Sequence, residues 1–446
     1  MKIISVVGAR PNFMKIAPFI RSINNHNLNR AQAVLPRKKV ESPDLSGGGG
    51  NAQPTVQNSQ LIDHLLVHTG QHYDDRMSRS FFESLGIPEA DINLGIGSGS
   101  HAEQVGNTMI EFEKVLLQEK PDWVVVVGDV NATLACSVTA KKLHIKVCHI
   151  EAGLRSGDER MPEEINRLVT DRLSDLLLTP DTLSNANLKA EGVPDSKIKF
   201  VGNIMIDTLE ANREAACKLK IADIIKDNLL DSSSPPSGVT QGGEANREAA
   251  SKLEIADIIT NNILDFSLPP SGGTKGGKYA VVTLHRPSNV DQKEVLKPIL
   301  HFLTNEVAED MPIIWPIHPR TQKMLQQFGL WEQAAACRNL ILLHPIGYHE
   351  MLRLNMDAAI MLTDSGGLQE ECCVLGTPCL TLRWNTERPV TLKEHGGASV
   401  LVGNNVERIR TEYRAALKAG RIPQRPLLWD GNTAQRCVDA IMHFKD

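Results

Sequence analysis

The eight cysteines, Cys136, Cys148, Cys217, Cys337, Cys372, Cys373, Cys379 and Cys437, form no CxxC pair and no zinc-ligand spacing. That leaves out a zinc module or a disulfide framework and reads as reduced, mostly buried thiols of a cytoplasmic protein. A basic stripe is missing too. The net charge is −5 with a pI near 6.3, and the compact cluster Arg37-Lys38-Lys39 fits a solvated loop, so nucleic acid is not an expected partner. No apolar run approaches the eighteen or so residues that cross a bilayer. The apolar start Ile3-Ile4-Ser5-Val6-Val7 is only a strand's length, so neither a signal peptide nor a membrane partner is expected. The segment after the first strand, Val7 to Lys15, has neither the phosphate-loop spacing GxxxxGK nor the fingerprint GxGxxG, which leaves a dinucleotide cofactor unsupported. A DxD pair is absent as well. Gly128-Asp129-Val130-Asn131 offers one charged ligand, so no catalytic metal and no cofactor are expected.

What the chain does contain is alternation. Short β-rich runs (Ile3 to Val7, Leu65 to His68, Trp123 to Val127, Val147 to Ile150, Tyr279 to Leu284, Ile313 to Pro316, Leu340 to Leu343, Ala358 to Leu362, Cys379 to Leu382) are separated by helical patterns. This predicts an α/β protein with parallel sheets wrapped by helices. At 446 residues one core is too few, and the strands divide near residue 205, so two Rossmann-like doubly wound domains should face a central cleft. Ligands in such folds lie at the carboxyl ends of the strands. Two segments break the alternation. Asn24 to Ser59 is rich in Asn, Gln, Pro and Gly and reads as a loose, disordered surface insertion. A 34-residue segment starting at Glu210 is repeated at once from Glu244, so residues 210–277 are a tandem duplication. Each copy reads as one helix with a Pro-Gly tail; with two copies and no helical hairpin it is a local duplication and not a tetratricopeptide array.

The chemistry sits at strand ends. Thr363 to Glu371, TDSGGLQEE, joins a buried strand (Ala358 to Leu362) to a glycine turn and a helix read from Leu368 onward. Gly366 and Gly367 let backbone approach a ligand, and the helix start offers free N–H groups and a positive dipole end to a diphosphate. Glu370 and Glu371 lie about one turn in, where carboxylates can take ribose hydroxyls. The plain alternative is an ordinary turn with a serine cap and helix-start glutamates. Leu284-His285-Arg286-Pro287, His318-Pro319-Arg320 and Thr386-Glu387-Arg388-Pro389 put further cationic groups at strand ends, fit to neutralise a departing diphosphate.

In the first half, Gly8-Ala9-Arg10-Pro11-Asn12-Phe13-Met14-Lys15 follows a strand and opens a helix, which brings Arg10 and Lys15 toward anionic groups across the cleft. Asp129 ends one strand, Glu151 the next, and Met161-Pro162-Glu163-Glu164 opens a helix. As a set these acids suit general acid and base work at a sugar carbon. Taken singly, each could be a cap or an ion pair to Arg155, Arg160 or Arg167.

The ordered motifs GARPNFMKIAP, HTGQHYD, VVVGDVNATLA, HIEAGLRSGD, MPEEINR, LHRPSN, TDSGGLQEE and TERP together resemble the non-hydrolysing UDP-N-acetylglucosamine 2-epimerase family. The resemblance spans nearly the whole chain apart from the insertion and one repeat copy. It implies a GT-B-like fold: residues 1–205 form a domain carrying the catalytic acids, with 24–59 inserted, and the C-terminal helix of about 430–446 completes it. Residues 206–429 form a UDP-binding domain that contains the duplication 210–277. It implies a UDP-sugar substrate, a homodimer, and reversible C2 epimerisation by anti elimination of UDP and syn re-addition through a 2-acetamidoglucal. By the same resemblance Asp129, Glu151, Glu163 and His285 match catalytic positions. Arg10, Lys15, Ser365, Gly366, Gly367, Glu371 and Arg388 match UDP contacts. After GQH, substrate-activated bacterial members read HR-x-MLDQ; Gln71 to Met77 here departs from that pattern, and substrate activation is not implied. A hydrolysing relative, a GT-B glycosyltransferase and a non-catalytic sugar-nucleotide binder are the alternatives.

Overall fold

A computed structural model describes residues 1–8, 10–34, 61–70, 89–230 and 279–445, with Arg10, Pro11 and residues 32–34 described by backbone alone. The first half holds strands β1 (Lys2–Val7), β2 (Asp63–His68), β3 (Ile92–Asn93), β4 (Trp123–Val127), β5 (Lys146–Ile150), β6 (Leu176–Thr179) and β7 (Ile198–Phe200). Their helices are α1 (Arg10–Val34), α2 (His101–Glu119), α3 (Asn131–Lys142), α4 (Pro162–Leu173), α5 (Thr182–Ala190) and α6 (Ile204–Lys218), and α7 (Ile221–Asn228) leads to the second half. That half contains β8 (Ala280–Thr283), α8 (Pro287–Val290), α9 (Lys293–Phe302), β9 (Ile313–Pro316), α10 (Pro319–Gln327) and α11 (Trp331–Ala336). It continues with β10 (Leu340–Leu343), α12 (Tyr348–Asp357), β11 (Ile360–Thr363), α13 (Gly366–Leu375), β12 (Cys379–Thr381), β13 (Ser399–Leu401) and α14 (Val406–Ala419), and the chain closes with α15 (Thr433–Met442).

Both sheets are parallel throughout the described residues, in the orders β3-β2-β1-β4-β5-β6-β7 and β10-β9-β8-β11-β12-β13. Strands covered on both faces need apolar side chains on both, which is why β4 is WVVVV and is buried at every position. The strand order reverses between β1 and β4 in one sheet and between β8 and β11 in the other. Reversals of this kind open a crevice at the carboxyl ends of the two strands, so each sheet has a place for a ligand before any side chain is considered.

Helix α6 joins the halves. Its first two turns (Ile204, Ile206, Leu209) enter a core shared with α1, α15 and residues of α12 and α13. Its Asp207 carboxylate accepts from the Thr433 and Ala434 N–H groups at 3.0 and 2.7 Å, capping α15, which packs on α1. Trp123 meets Phe444 edge to face at 5.1 Å.

Four elements differ from the sequence reading. Asn24 to Val34 is the last part of helix α1 and not loop: the Asn27 side chain is bonded to the backbone of Ile62 in both directions, at 2.8 and 3.0 Å, which anchors a stretch whose propensity is weak. The rest of the expected insertion, 35–59, lies outside the described residues, as does the segment 71–88. The first repeat copy holds two helices where one was read, the end of α6 and all of α7, because Leu219 and Lys220 adopt extended backbone between them. Helix α7 buries Ile224 and Ile225 against the second sheet, and Leu230 N–H donates to Leu342 O at 2.9 Å. The second copy is outside the described residues. Strands β3, β6, β7 and β13 went unread, being two to four residues long; β6, with three leucines, is indistinguishable by pattern from a continuation of α4. Finally, the helix of TDSGGLQEE begins at Gly366, so both glycines form its first turn.

Candidate functional site

Both strand reversals open onto one cleft of about 480 Å³, lined by Lys15, Asp129, Glu163 and Arg167 from the first half and His285, Arg286, Ser365, Gly366, Gly367, Glu370, Glu371, Glu387 and Arg388 from the second. Nine of the eleven site residues assigned from sequence line it. Glu151 lies just beneath its floor, and the Arg10 side chain is outside the described residues.

On the first side the acids are matched with cations. Lys15, assigned from sequence to a ligand anion, has its ammonium 2.5 Å from Glu151 Oε2, and both groups are almost fully buried. Glu151 Oε1 is buried without a hydrogen-bond partner among the described residues. Glu151 has φ +71°, Gly128 +69° and Gly153 +82°, so the turns after β4 and β5 are left-handed where they carry the acids. A Cβ on Gly128 would stand 3.1 Å from Lys15 Nζ, so that turn also needs glycine for space. Asp129 pairs with Arg167, which also holds Glu164 at 2.6 Å. The adjacent glutamates therefore divide. Glu163 faces the cleft, whereas Glu164 accepts from the Ser156 and Gly157 N–H groups at 3.0 and 2.8 Å. Those bonds and Arg167 hold its carboxyl below the usual range despite burial. The ion-pair alternative thus describes Asp129 and Glu164 correctly as far as Arg167, while Arg160 goes to Asp158 and Arg155 to Asp171 and Glu191.

The second side is arranged differently. Asp364, fully buried at the end of β11, accepts from the backbone N–H of His285 (3.0 Å) and Arg286 (2.9 Å) and from Asn289 (3.0 Å), and its other oxygen is 2.8 Å from His285 Nδ1. The imidazole and these N–H groups keep the Asp364 carboxyl below its ordinary value against burial. This fixes the His285 ring with Nε2 as the nitrogen not bound to Asp364. Ser365 starts helix α13 without a side-chain cap bond, so the serine-cap alternative fails and the first-turn N–H groups stay available to a ligand. A Cβ on Gly366 would lie 2.7 Å from Arg388 Nη1, whereas one on Gly367 would meet nothing within 4 Å.

Arg388 is buried between Glu370, at 2.8 Å, and Glu387. Arg383 holds Glu387 at 2.6 Å, and the two guanidiniums depress the Glu387 carboxyl far below its usual range. Glu370 Oε2 and Glu371 Oε2 have no hydrogen-bond partner among the described residues. Burial pushes Glu371 up to about 7. Arg286 is held by the carbonyl of Asp364 at 3.0 Å and forms no carboxylate pair among the described residues. The structure does not bring Arg320 here, since it pairs with Asp291 at the surface, but His318, which caps α10, has its ring 5.6 Å from that of His285.

Sequence reasoning named Arg167 only as an ion-pair alternative and gave Asp364 no role. Arg167 stands four residues after Glu163, one helical turn, which was a usable signal. Asp364, the first polar residue after a strand, offered a weaker one.

Two parallel sheets whose reversal points share one cleft define a two-domain, GT-B-like α/β protein with a nucleotide-sized site. A family model described as UDP-N-acetylglucosamine 2-epimerase matches residues 54–233 and 218–442. The chain belongs to the UDP-N-acetylglucosamine 2-epimerase family. It is 37% identical to a UDP-N-acetylglucosamine 2-epimerase of Methanocaldococcus jannaschii over 100% of both chains. It is 34% identical to the UDP-2,3-diacetamido-2,3-dideoxy-D-glucuronate 2-epimerase of Pseudomonas aeruginosa, over 94% of this chain and 92% of that one. Among solved structures, the M. jannaschii UDP-GlcNAc 2-epimerase in complex with UDP-GlcNAc and UDP superposes with a TM-score of 0.74 at 36% identity, covering 99% of this chain and 100% of that one. The two stretches matched by the family model overlap over 218–233, inside the first copy of the duplication. No helix among the described residues is long and apolar enough to cross a membrane.

Proposed function

We propose that the chain interconverts UDP-N-acetylglucosamine and UDP-N-acetylmannosamine without hydrolysis and without a cofactor. The observation that carries this reading is the split cleft. A helix start with available N–H groups lies on one side, and three carboxylates on separate elements of the other side face or underlie it. In the forward direction a carboxylate of the Asp129, Glu151 and Glu163 group removes the C2 proton while the C1–O bond breaks and its electron pair leaves with UDP. A C1=C2 double bond remains in a bound 2-acetamidoglucal. The N–H groups of Gly366 and Gly367, with Ser365, Arg388 and Arg10, hold the diphosphate, and His285 stands beside the leaving oxygen. Syn return of UDP to C1, with a proton delivered to the other face of C2, completes the exchange. Glu371 accepts hydroxyls of the ribose. Residues 1–205 with the C-terminal helix then carry the chemistry, and 206–429 hold UDP.

Incubation with UDP-N-acetylglucosamine in D2O is the test. Deuterium at C2 of an intact UDP-sugar supports the reading, and stoichiometric release of free sugar sinks it. A second substrate, a UDP-sugar with a carboxylate at C6, is favoured by one observation: Arg286 lines the cleft and forms no ion pair among the described residues, with Glu387, Asp364 and Glu163 acting on it only at longer range. Parallel turnover assays with both sugars separate the two.

A further inference from the structure

Beneath the catalytic turns lies a fully buried His–Asp pair that the chemistry above does not use. His149, in the middle of β5, is 0% exposed and Asp171, in α4, is 1% exposed. His149 Nδ1 is 2.6 Å from Asp171 Oδ1, and His149 Nε2 is 2.9 Å from the carbonyl oxygen of Gly128. The second Asp171 oxygen accepts from Gly153 N–H at 3.0 Å and from Arg155 Nη1 at 2.7 Å. Arg155 and the imidazole beside it keep the Asp171 carboxyl below its ordinary value despite burial, so it has no proton to offer the ring, and a carbonyl never has one. Each ring nitrogen therefore donates, and the ring carries both protons.

We propose that His149 and Asp171 are positioning residues: a buried imidazolium–carboxylate clamp that fixes, from below, the two turns presenting Asp129 and Glu151 to the sugar. The proposal rests on the epimerase reading given above. One end of the clamp holds Gly128, the residue before Asp129; the other holds Gly153, two residues after Glu151. Those are the places where the backbone is left-handed, and Glu151 itself, with φ +71°, occupies a region that non-glycine residues rarely adopt. Such a conformation persists only if its neighbours over-determine it. The Ala152 N–H bond to Leu178 O at 3.1 Å and the Asn187 bond to Gly153 O at 2.9 Å supply part of that constraint. The Gly128 N–H bond to Ile150 O at 3.2 Å joins the two turns through the backbone, and the clamp joins them a second time from beneath. Losing it lets the acids drift relative to C2 while the UDP side, built on the other sheet, stays as it is.

The variant Asp171→Asn keeps the shape and can still accept from Gly153 or Arg155, but it no longer balances an imidazolium. Its kcat for C2 deuterium exchange is expected to fall on the order of hundredfold, the cost of a small misplacement of reacting groups, while the UDP Kd stays within about twofold. Wild-type kcat, or a parallel loss of kcat and UDP affinity, overturns the proposal. Should this variant fail to fold, His149→Gln, which keeps one donor, is read in the same way. In the unaltered protein, nitrogen-15 spectra of labelled histidine are expected to show both His149 ring nitrogens protonated at neutral pH; a single-proton tautomer overturns the clamp. A wild type that exchanges no C2 proton would instead sink the epimerase reading, so the two failures are distinct.

Discussion

The two strand reversals are built from the same fold and treat charge in opposite ways. At the β1/β4 reversal the acids have cations beside them, Glu151 with Lys15 and Asp129 with Arg167, and they ride on turns with positive φ. At the β8/β11 reversal three buried glutamates compete for two arginines. Glu370 and Glu387 share Arg388, Arg383 adds to Glu387, and Glu371 has no ion pair among the described residues. In the proposed reading the difference separates two tasks. Acids that must exchange protons with a substrate carbon need fixed positions and a balanced charge, and strain at those positions is tolerated for that reason. Acids that accept ligand hydroxyls need open lone pairs, and the anion is left to helix N–H groups, which carry no counter-charge of their own.

The largest effect expected from this division is on turnover. Asp129→Asn and Glu151→Gln remove proton-transfer groups from the first side and should lower C2 exchange by about 10²–10⁴-fold, the usual worth of a positioned acid or base. UDP affinity, measured by calorimetry, should be nearly unchanged because the proposed UDP contacts, Arg10 apart, are in the second half. If both variants epimerise at the wild-type rate, the division of labour is wrong.

Much of that division was legible in the chain, and what was not has a common cause. The strand, glycine turn and helix of Thr363 to Glu371 are local, so an apolar run followed by two glycines was enough to find them. Asp129, Glu151 and Glu163 were each readable as polar groups at the end or start of an element. Their partners were not: the Lys15–Glu151 pair spans 136 positions and the Arg167–Asp129 pair 38, and no pattern along the chain encodes which cation meets which acid. His149 was hidden for a different reason. Flanked by Cys148 and Ile150 in a strand buried on both faces, it reads as one more core residue, and only the approach of α4 and of the neighbouring turn gives it partners. The asparagines that end α1 show the converse, where a long-range bond to Ile62 overrides a local composition that reads as loop.

A second test targets the uncompensated side through pH. Glu371 has its carboxyl pushed from an ordinary 4.5 up to about 7 by burial. Between these values the folded protein keeps a proton that the unfolded chain has released, so stability falls as pH rises. The contribution is fully present below about 4.5 and gone once the pH passes about 7. The full span is worth roughly 3 kcal/mol at about 1.4 kcal/mol per unit. Glu371→Gln should erase this part of the pH dependence, so that urea unfolding shows the variant gaining stability over wild type on going from pH 5 to pH 8. A constant difference across that range would show that the Glu371 carboxyl titrates normally, and the contrast between the two sides would lose its main support.

The smallest expected effect distinguishes the two glycines of the proposed UDP turn. A methyl group on Gly366 would stand 2.7 Å from Arg388 Nη1 and 2.9 Å from Glu387 Oε1, closer than real contacts allow. Arg388 is buried and held by Glu370 at 2.8 Å, so it cannot swing aside freely. Gly366→Ala should therefore cost the unliganded protein about 1–3 kcal/mol, the usual range for overpacking, and weaken UDP as well. At Gly367 the added methyl meets no protein atom within 4 Å, so the unliganded protein should melt at its normal temperature. That open space is where the diphosphate is proposed to approach the helix start, and Gly367→Ala should weaken UDP about tenfold, or roughly 1.4 kcal/mol. The pair thus separates crowding inside the protein from crowding of the ligand. A Gly367→Ala protein that binds UDP as tightly as wild type would move the diphosphate away from this turn.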